Sequence, residues 1–188
     1  MPLRSHSEDE QLEEKTNVEK ENRIKMVNVV KEFLPAIKRT NGVKFIGLIG
    51  SLTRDSPEPK DIDMVVCVTP SADLPELGTV CKRIAGRMMQ IGKGVDMFVY
   101  DDLSGEYVGR ICQYRDCRPG IRRCRADHCR MRPYLKDDLS TIRLPAFVRK
   151  NVPVELHPTL RYNPPEAPED VSEILLAGRW SAGHKTNE

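Results

Sequence analysis

Two short polar motifs, each joined to an apolar run, constrain the possible folds of this chain more than any other feature of its sequence. A Gly50-Ser51 turn follows the apolar run Phe45–Ile49, and after a nine-residue spacer the Asp61-Ile62-Asp63 motif opens a second apolar run. Apolar runs of this length beside turn residues are typical of buried strands. Residues two apart on a strand face the same way, so Asp61 and Asp63 are predicted to share one side and Ile62 to face the other.

Two carboxylates on one side of a strand repel each other, and each should raise the pKa of the other. Mg²⁺ relieves this repulsion, since it prefers oxygen ligands and is usually held by one or two carboxylates together with substrate phosphates. The glycine of the turn lets the backbone approach a phosphate, and successive N–H groups can line it. The two motifs together predict a site for a phosphorylated substrate and a divalent cation.

A third carboxylate is expected near the first two. Asp96 lies in the run Gly94–Tyr100, which is a third strand-like segment. On a strand that pairs with the second one, Asp96 would share a metal ion or take the proton from an attacking hydroxyl. Glu155, in the segment Val152–Leu156, is a weaker candidate for the same place.

At these residues the chain resembles the DNA polymerase beta-type nucleotidyltransferase superfamily, and within it the small, minimal nucleotidyltransferase-like members. The signature of that family is a Gly-Ser turn, a spacer of about this length, Asp-x-Asp, and later a lone Asp inside an apolar strand. In this chain the matching residues are Gly50, Ser51, Asp61, Asp63 and Asp96. Arg54 fits the arginine that the family often has three residues after the serine. The resemblance covers roughly Ile24 to Tyr100, about two fifths of the chain.

The resemblance implies a Mg²⁺-dependent (or Mn²⁺-dependent) enzyme that moves a nucleoside monophosphate from a nucleoside triphosphate to an acceptor hydroxyl and releases pyrophosphate. It implies that Asp61 and Asp63 bind the metal, and that Asp96 ligates a metal or helps to activate the hydroxyl. The Gly-Ser turn and Arg54 would bind the triphosphate. Small members of the family act on a small molecule, a protein or RNA, so the acceptor stays open among these three.

Apolar periodicity predicts a helix before the first strand and another between the second and third. The stripe of the first helix is Ile24, Val27, Val30, Leu34 and Ile37. The second helix is predicted from about Leu74 to Ile91, with Asp73 as its N-cap and Gly92 as its stop. The strands are predicted at about Lys44–Ile49, Ile62–Thr69 and Val95–Tyr100. This order predicts an α/β (α+β) fold, a small mixed sheet with helices on one face.

The length of 188 residues predicts one domain, at residues 19–163, between two tails, and the resemblance implies that this domain is nucleotidyltransferase-like. Residues 1–18 are acidic and are predicted to be disordered, and residues 164–188 are predicted to be a Pro-rich tail. Within that tail, Val171–Trp180 is a candidate short helix that docks through its apolar residues. No apolar run approaches the ~20 residues of a membrane span, and the first residues lack the apolar core of a secretory signal. These observations favour a cytoplasmic protein without a membrane partner.

Four of the six cysteines lie within eighteen residues of the basic segment 110–133, and they are Cys112, Cys117, Cys124 and Cys129. Their C-x4-C-x6-C-x4-C spacing is symmetric about Pro119-Gly120. In a cytosolic chain such a cluster favours metal over disulfides, and four thiolates suit tetrahedral Zn²⁺. His128 is an alternative ligand to Cys129. Common zinc modules place two residues between paired cysteines rather than four, so thiols without metal are the competing interpretation.

Seven arginines against two aspartates give residues 115–132 a net charge of +5. This charge indicates binding of nucleic-acid phosphates, of the triphosphate or of the acidic N-terminal segment, or simply a solvated loop. The alternative to an enzyme is therefore a catalytically inactive nucleotidyltransferase-fold module that binds nucleic acid or a protein through a zinc-braced Arg-rich segment. Asp55, where the family usually has glycine, and Pro57 and Pro59 in the spacer slightly favour this alternative.

Overall fold

The computed structural model describes residues 6–112, 134–136, 144–145, 147–162 and 167–176. The helices of the described part are α1 (His6–Arg39), α2 (Leu74–Met89), α3 (Phe147–Lys150) and α4 (Glu169–Leu176). Its strands are β1 (Val43–Ile49), β2 (Asp61–Val68), β3 (Gly94–Asp101), β4 (Tyr107–Ile111), β5 (Leu135–Lys136), β6 (Val154–His157) and β7 (Arg161–Tyr162). A short 3-10 turn, Ser51–Thr53, follows β1.

The described strands form one seven-stranded sheet in the order β5-β4-β3-β2-β1-β6-β7. Strands β2 and β3 are parallel, with α2 as the connection between them, whereas the other neighbouring strands are antiparallel. A parallel pair needs such a crossover, and a helix is its usual form. The predicted mixed α/β architecture is therefore confirmed, and the three predicted strands lie within one residue of their expected bounds.

The two faces of the sheet carry separate apolar clusters. Ile62, Met64 and Val66 of β2 belong to the larger one, which also contains buried residues of α1, α2 and α4. Val65 and Cys67 alternate with them and belong to the smaller cluster on the opposite face. Three helices thus share one face, as predicted. The short α3 differs, because its Val148 packs with the smaller cluster.

The N-cap and the apolar spacing predicted for helix α2 are both present in the structure. The Asp73 carboxylate accepts a hydrogen bond from the Glu76 N–H at 3.0 Å, which caps the first turn as predicted. Leu77, Cys81 and Ile84 are fully buried, each one turn apart. The helix ends at Met89, and Gly92 follows with a φ of 66°. Ile91, which was predicted to be the last helical residue, is partly buried against the core beyond the helix end.

Helix α1 begins earlier than the sequence predicts, since it starts at His6 and so includes residues 6–18, which were expected to be disordered. Its first turns are rich in Glu, Gln and Lys, which lose little side-chain freedom in a helix. Its apolar stripe also differs at one end, because Ile24 is 45% exposed whereas Met26 is fully buried. The side chain that extends the buried stripe towards the N-terminus is Arg23, at 7% exposure.

Helix α4 lies in the segment that was predicted to be a Pro-rich tail. It covers the first half of the expected docking helix, and its Val171 and Leu175 are buried in the larger cluster with α1. Trp180, which was also expected to dock, lies outside the described residues. In the part of the chain that the structure describes, no helix combines the length and the apolarity needed to cross a membrane.

Candidate functional site

The structure brings Asp63 and Asp96 side by side. They are direct partners in the parallel pairing of β2 and β3, and Asp61 is the partner of Gly94 two residues earlier. All three aspartates are partly buried, whereas Ile62 between the first two is fully buried in the core. Period-two alternation therefore places Asp61, Asp63 and Asp96 on the face of the smaller apolar cluster, as the sequence pattern predicts.

The surroundings of Asp63 change the pKa of its carboxyl group. Its pKa is raised from 3.8 to about 6, first by burial and then by the charges of Asp96 and Asp61, while the Arg110 guanidinium opposes the shift. No hydrogen bond or ion pair joins the Asp63 carboxyl group to another described residue. A partly buried carboxylate that lacks such a partner beside two other carboxylates favours binding of a cation or a proton.

The two neighbouring carboxylates have partners of their own. Asp61 accepts a hydrogen bond on Oδ1 from the Gly94 N–H at 2.8 Å, which ties the start of β2 to the start of β3. Asp96 accepts one on Oδ2 from Arg110 Nη1, also at 2.8 Å. The Arg110 and Asp96 side chains are 19% and 33% exposed, so this ion pair is partly shielded from water.

A bulge in β4 explains how Arg110 reaches this face. The pairing of β3 with β4 shifts register, with Val99 opposite Gly109 and Tyr100 opposite Tyr107. Gly109 adopts a φ of 129°, and an added Cβ would lie 2.6 Å from the Lys136 carbonyl oxygen, so only glycine fits. One extra residue in a bulge reverses the facing of the residues that follow it. The bulge thereby turns Arg110 towards Asp96.

The Gly50-Ser51 turn lies directly beside Asp63. The preceding residue, Ile49, is the partner of Asp63 across β1 and β2. Gly50 has φ 78° and ψ −157°, a conformation that is essentially restricted to glycine. A Cβ there would meet the Asp63 carboxyl group, with Oδ2 only 2.2 Å away. The Asp63 carboxylate thus occupies the space that a side chain at residue 50 would need.

The loop after the turn is closed by local hydrogen bonds. The Gly50 carbonyl oxygen accepts from the Thr53 N–H and hydroxyl, and the Ser51 hydroxyl oxygen accepts from the Lys60 N–H at 3.3 Å. Arg54, the predicted triphosphate ligand, is exposed at the tip of this loop. The turn, Arg54 and the three aspartates therefore lie along one end of β1, β2 and β3.

Sequence reasoning missed Arg23, which holds this loop from the buried side. Its Nη2 donates to the Leu52 carbonyl oxygen at 3.1 Å, and its Nη1 donates to the Ser56 carbonyl oxygen at 3.0 Å. Its Nε and Nη2 donate to the two oxygens of Asp170 on α4, at 2.7 and 3.0 Å. The available signal was a charged residue four positions before Val27 on an otherwise apolar helix stripe.

Glu155 is not brought to the aspartates. It pairs with Gly47, so two strand spacings, roughly 10 Å, separate it from β2 across the sheet. It is only 6% exposed, and it accepts hydrogen bonds from Arg161 and from the Thr159 hydroxyl. These contacts satisfy its charge locally, so Glu155 has a structural role at the β6–β7 edge.

The predicted zinc cluster falls almost entirely outside the described residues. Cys117, Cys124, Cys129 and His128 are not described, whereas Cys112 is 1% exposed and follows β4. Its N–H donates to the Tyr134 carbonyl oxygen at 2.7 Å. Across the described ranges, which contain Asp61, Asp63 and Asp96 but only one of the four cysteines, no group of three or more His, Cys, Asp or Glu side chains is arranged as ligands of one metal ion. Zinc at the four cysteines therefore stays a prediction.

Comparisons of this chain with protein-family models, with curated proteins and with solved structures found no match.

Proposed function

We propose that this protein is a nucleotidyltransferase that moves a nucleoside monophosphate from a nucleoside triphosphate to an acceptor hydroxyl. The observation that carries the proposal is Asp63, a partly buried carboxyl group with a pKa of about 6 that lies between the charges of Asp61 and Asp96. A site that only stabilises the fold gains nothing from three neighbouring like charges. The resemblance of Gly50, Ser51 and the three aspartates to the nucleotidyltransferase motif supports the same activity.

The donor set fits Mg²⁺ or Mn²⁺ held jointly by protein and substrate. Asp63 and Asp96 offer neighbouring hard oxygen ligands, and Mg²⁺ commonly takes one or two carboxylates with substrate phosphates completing its coordination. Asp61 is engaged through Oδ1 by Gly94, and its other oxygen makes no hydrogen bond to a described residue. A bound Mg²⁺ would neutralise charge on the phosphates and on the departing pyrophosphate.

The protein residues would position the two reactants. The Gly50-Ser51 turn and the exposed Arg54 would hold the β- and γ-phosphates, since backbone N–H groups and arginine both bind phosphate oxygens. The acceptor hydroxyl oxygen forms a bond to the α-phosphorus while the bond from that phosphorus to the bridging oxygen breaks, and pyrophosphate leaves with that oxygen. The hydroxyl proton passes to the Asp96 carboxylate.

The activity is tested with nucleoside triphosphates labelled at the α-phosphate, incubated with the protein and candidate small-molecule, protein and RNA acceptors. We expect Mg²⁺-dependent transfer by the wild type and its loss in Asp61→Asn and Asp63→Asn. Glu106→Gln, a change at an exposed carboxylate outside the site, is the matched control and should keep full activity. Equal transfer by Asp63→Asn and the wild type would refute the assignment.

One observation favours a second candidate, the catalytically inactive module that binds nucleic acid or a protein. The Arg110 guanidinium already lies 2.8 Å from Asp96, where it supplies the positive charge that a metal ion would otherwise bring. Calorimetric titration with Mg²⁺ and each nucleoside triphosphate separates the two candidates. Mg²⁺-dependent nucleotide binding supports the enzyme, whereas salt-sensitive RNA binding without nucleotide binding supports the module.

A further inference from the structure

Arg23 connects three parts of the molecule that are distant in sequence. It belongs to α1, its carboxylate partner Asp170 belongs to α4, and its two carbonyl acceptors belong to the loop after the Gly50-Ser51 turn. The side chain of Arg23 is 8% exposed and that of Asp170 is 23% exposed. A charge this deeply buried is retained only when its hydrogen bonds are satisfied, and here the structure shows four of them.

The two carbonyl acceptors bracket one short stretch of loop. Leu52 and Ser56 lie on either side of Arg54, so a single guanidinium fixes both ends of the stretch that carries the predicted phosphate ligand. Within this stretch, the N–H groups of Thr53, Arg54 and Ser56 make only local turn hydrogen bonds, to Gly50, Ser51 and Arg54 respectively. Of the residues at 52–56, Leu52 and Thr53 are buried, whereas Arg54 and Asp55 are exposed.

The role of Asp170 is to hold the guanidinium plane. An arginine that receives a two-point contact from a carboxylate keeps a fixed orientation, and its remaining N–H groups then point in fixed directions. Here those directions are the Leu52 and Ser56 carbonyl oxygens. Lysine has three donors on a single nitrogen, so it cannot serve a carboxylate and two separated carbonyl groups with the same geometry.

From this arrangement we infer that Arg23, oriented by Asp170, is a positioning residue for the phosphate-binding loop and that α4 is thereby part of the nucleotide site. The inference rests on the proposed function for the identity of the ligand. The arrangement of Arg23, Asp170 and the loop does not depend on that function. Neither residue contacts substrate in this scheme, and both act through the shape of the loop at residues 52–56.

The test uses the full chain with the variants Arg23→Lys and Asp170→Asn, and with Arg161→Lys as the matched control. Arg161 also makes two hydrogen bonds to one carboxylate, on Glu155, but at the β6–β7 edge rather than at the loop. Amide hydrogen exchange is followed by NMR at Thr53, Arg54 and Ser56, with Met64 and Val66 of β2 as internal references. Binding of each nucleoside triphosphate with Mg²⁺ is measured by calorimetry on the same samples.

For Arg23→Lys we expect the loop amides to exchange about 10- to 100-fold faster and nucleotide affinity to fall by about the same factor, since hydrogen bonds from a charged donor are lost. Exchange at the two β2 amides reports any loss of global stability, and the loop amides should accelerate by a larger factor than these references do. Asp170→Asn keeps the size of the side chain and should give a smaller change in the same direction. The control Arg161→Lys should change neither readout.

Two results would overturn the inference. One is unchanged loop exchange in both variants, which would show that Arg23 does not hold the loop. The other is faster loop exchange with unchanged nucleotide affinity, which would show that Arg23 stabilises the fold without positioning the site. A wild-type protein that binds no nucleotide refutes the proposed function instead, and in that case loop exchange alone decides whether Arg23 and Asp170 hold the loop.

Discussion

Asp63 and Asp96 are direct neighbours across the only parallel strand pair of the described sheet. The two carboxyl groups differ in their ion-pair partners. Asp96 is neutralised by Arg110 at 2.8 Å, whereas Asp63 has no such partner in the described part of the chain. Burial and the two neighbouring carboxylates raise the pKa of Asp63 to about 6. Keeping the Asp63 carboxyl group ionised in the folded state therefore has a free-energy cost that can be measured.

The first prediction concerns stability against pH. The pKa of Asp63 is raised in the folded state to about 6, from 3.8, so the folded protein binds its proton more tightly than the unfolded chain does. This contribution to stability is fully present below pH 3.8 and is lost as the pH rises through about 6. Relative to Asp63→Asn, the wild type should therefore gain roughly 1–2 kcal/mol between pH 7 and pH 4, after allowance for solvent screening.

Urea unfolding of the two proteins at a series of pH values, without divalent metal, checks this difference. Acids distant from Asp63 titrate in both proteins and cancel in the comparison, whereas Asp61 and Asp96 are coupled to Asp63 and contribute to the measured difference. At neutral pH, Asp63→Asn should be more stable than the wild type, since it lacks the uncompensated charge. A difference in unfolding free energy that stays constant between pH 4 and pH 7 would contradict the prediction.

The second prediction concerns the neighbours that set the pKa of Asp63. Arg110 lowers that pKa and Asp96 raises it, so Arg110→Gln should move it above about 6 and Asp96→Asn should move it below. Carboxyl carbon titration by NMR measures both shifts directly. Arg149→Gln is the control, because the structure pairs Arg149 with Asp102 rather than with the site. Shifts in the same direction in both variants would show that the charges are not arranged as described.

The third prediction concerns the absence of a side chain at Gly50. Gly50→Ala forces a Cβ into a glycine-only conformation and against the Asp63 carboxyl group, so it should cost about 1–3 kcal/mol of stability. It should also weaken Mg²⁺-dependent nucleotide binding, because Asp63 must move. Gly86→Ala, on the exposed side of α2 with nothing within 4 Å, should instead stabilise by about 0.5–1 kcal/mol. Thermal unfolding of both variants provides the comparison, and equal losses would refute it.

The fourth prediction concerns zinc at Cys112, Cys117, Cys124 and Cys129. We expect elemental analysis of the purified protein to find one zinc ion per chain, and Cys124→Ser to lose it. Cys81→Ser, a change in the buried face of α2, should retain the metal, since Cys81 lies in the apolar core. Zinc retained equally in Cys124→Ser and the wild type would rule out this ligand set, and His128→Ala distinguishes the alternative fourth ligand.

The sequence was sufficient for the features that local patterns encode. Alternation placed Asp61 and Asp63 on one face, and three- and four-residue spacing placed α2 with its Asp73 cap. The prediction that Ile24 belongs to the buried stripe of α1 was wrong. The spacing of apolar residues along a helix does not show where its contact with the rest of the protein ends. Past that point the buried position belongs to Arg23, whose partners Leu52, Ser56 and Asp170 come from distant parts of the chain.

Arg110 was not identified from the sequence as a site residue, for a related reason. Its position on the aspartate face depends on the bulge at Gly109, and one inserted residue reverses every side chain beyond it. The periodicity of Tyr107–Ile111 alone therefore gives the wrong face. The strands that the structure describes after β4 are short, between two and four residues, and such short segments carry little periodicity to detect.

The contact between Arg23 and Asp170 spans 147 positions of the chain. Contacts of such long range form late, because closing a large loop costs entropy before any packing compensates for it. Strands β1, β2 and β3, which carry the Gly50-Ser51 turn and the aspartates, can pair from nearby segments. The loop beside them differs, because Arg23 joins it to Asp170 of α4. Under the inferred role of Arg23 and Asp170, a chain whose strands have paired but whose α4 has not docked would lack the final shape of this loop.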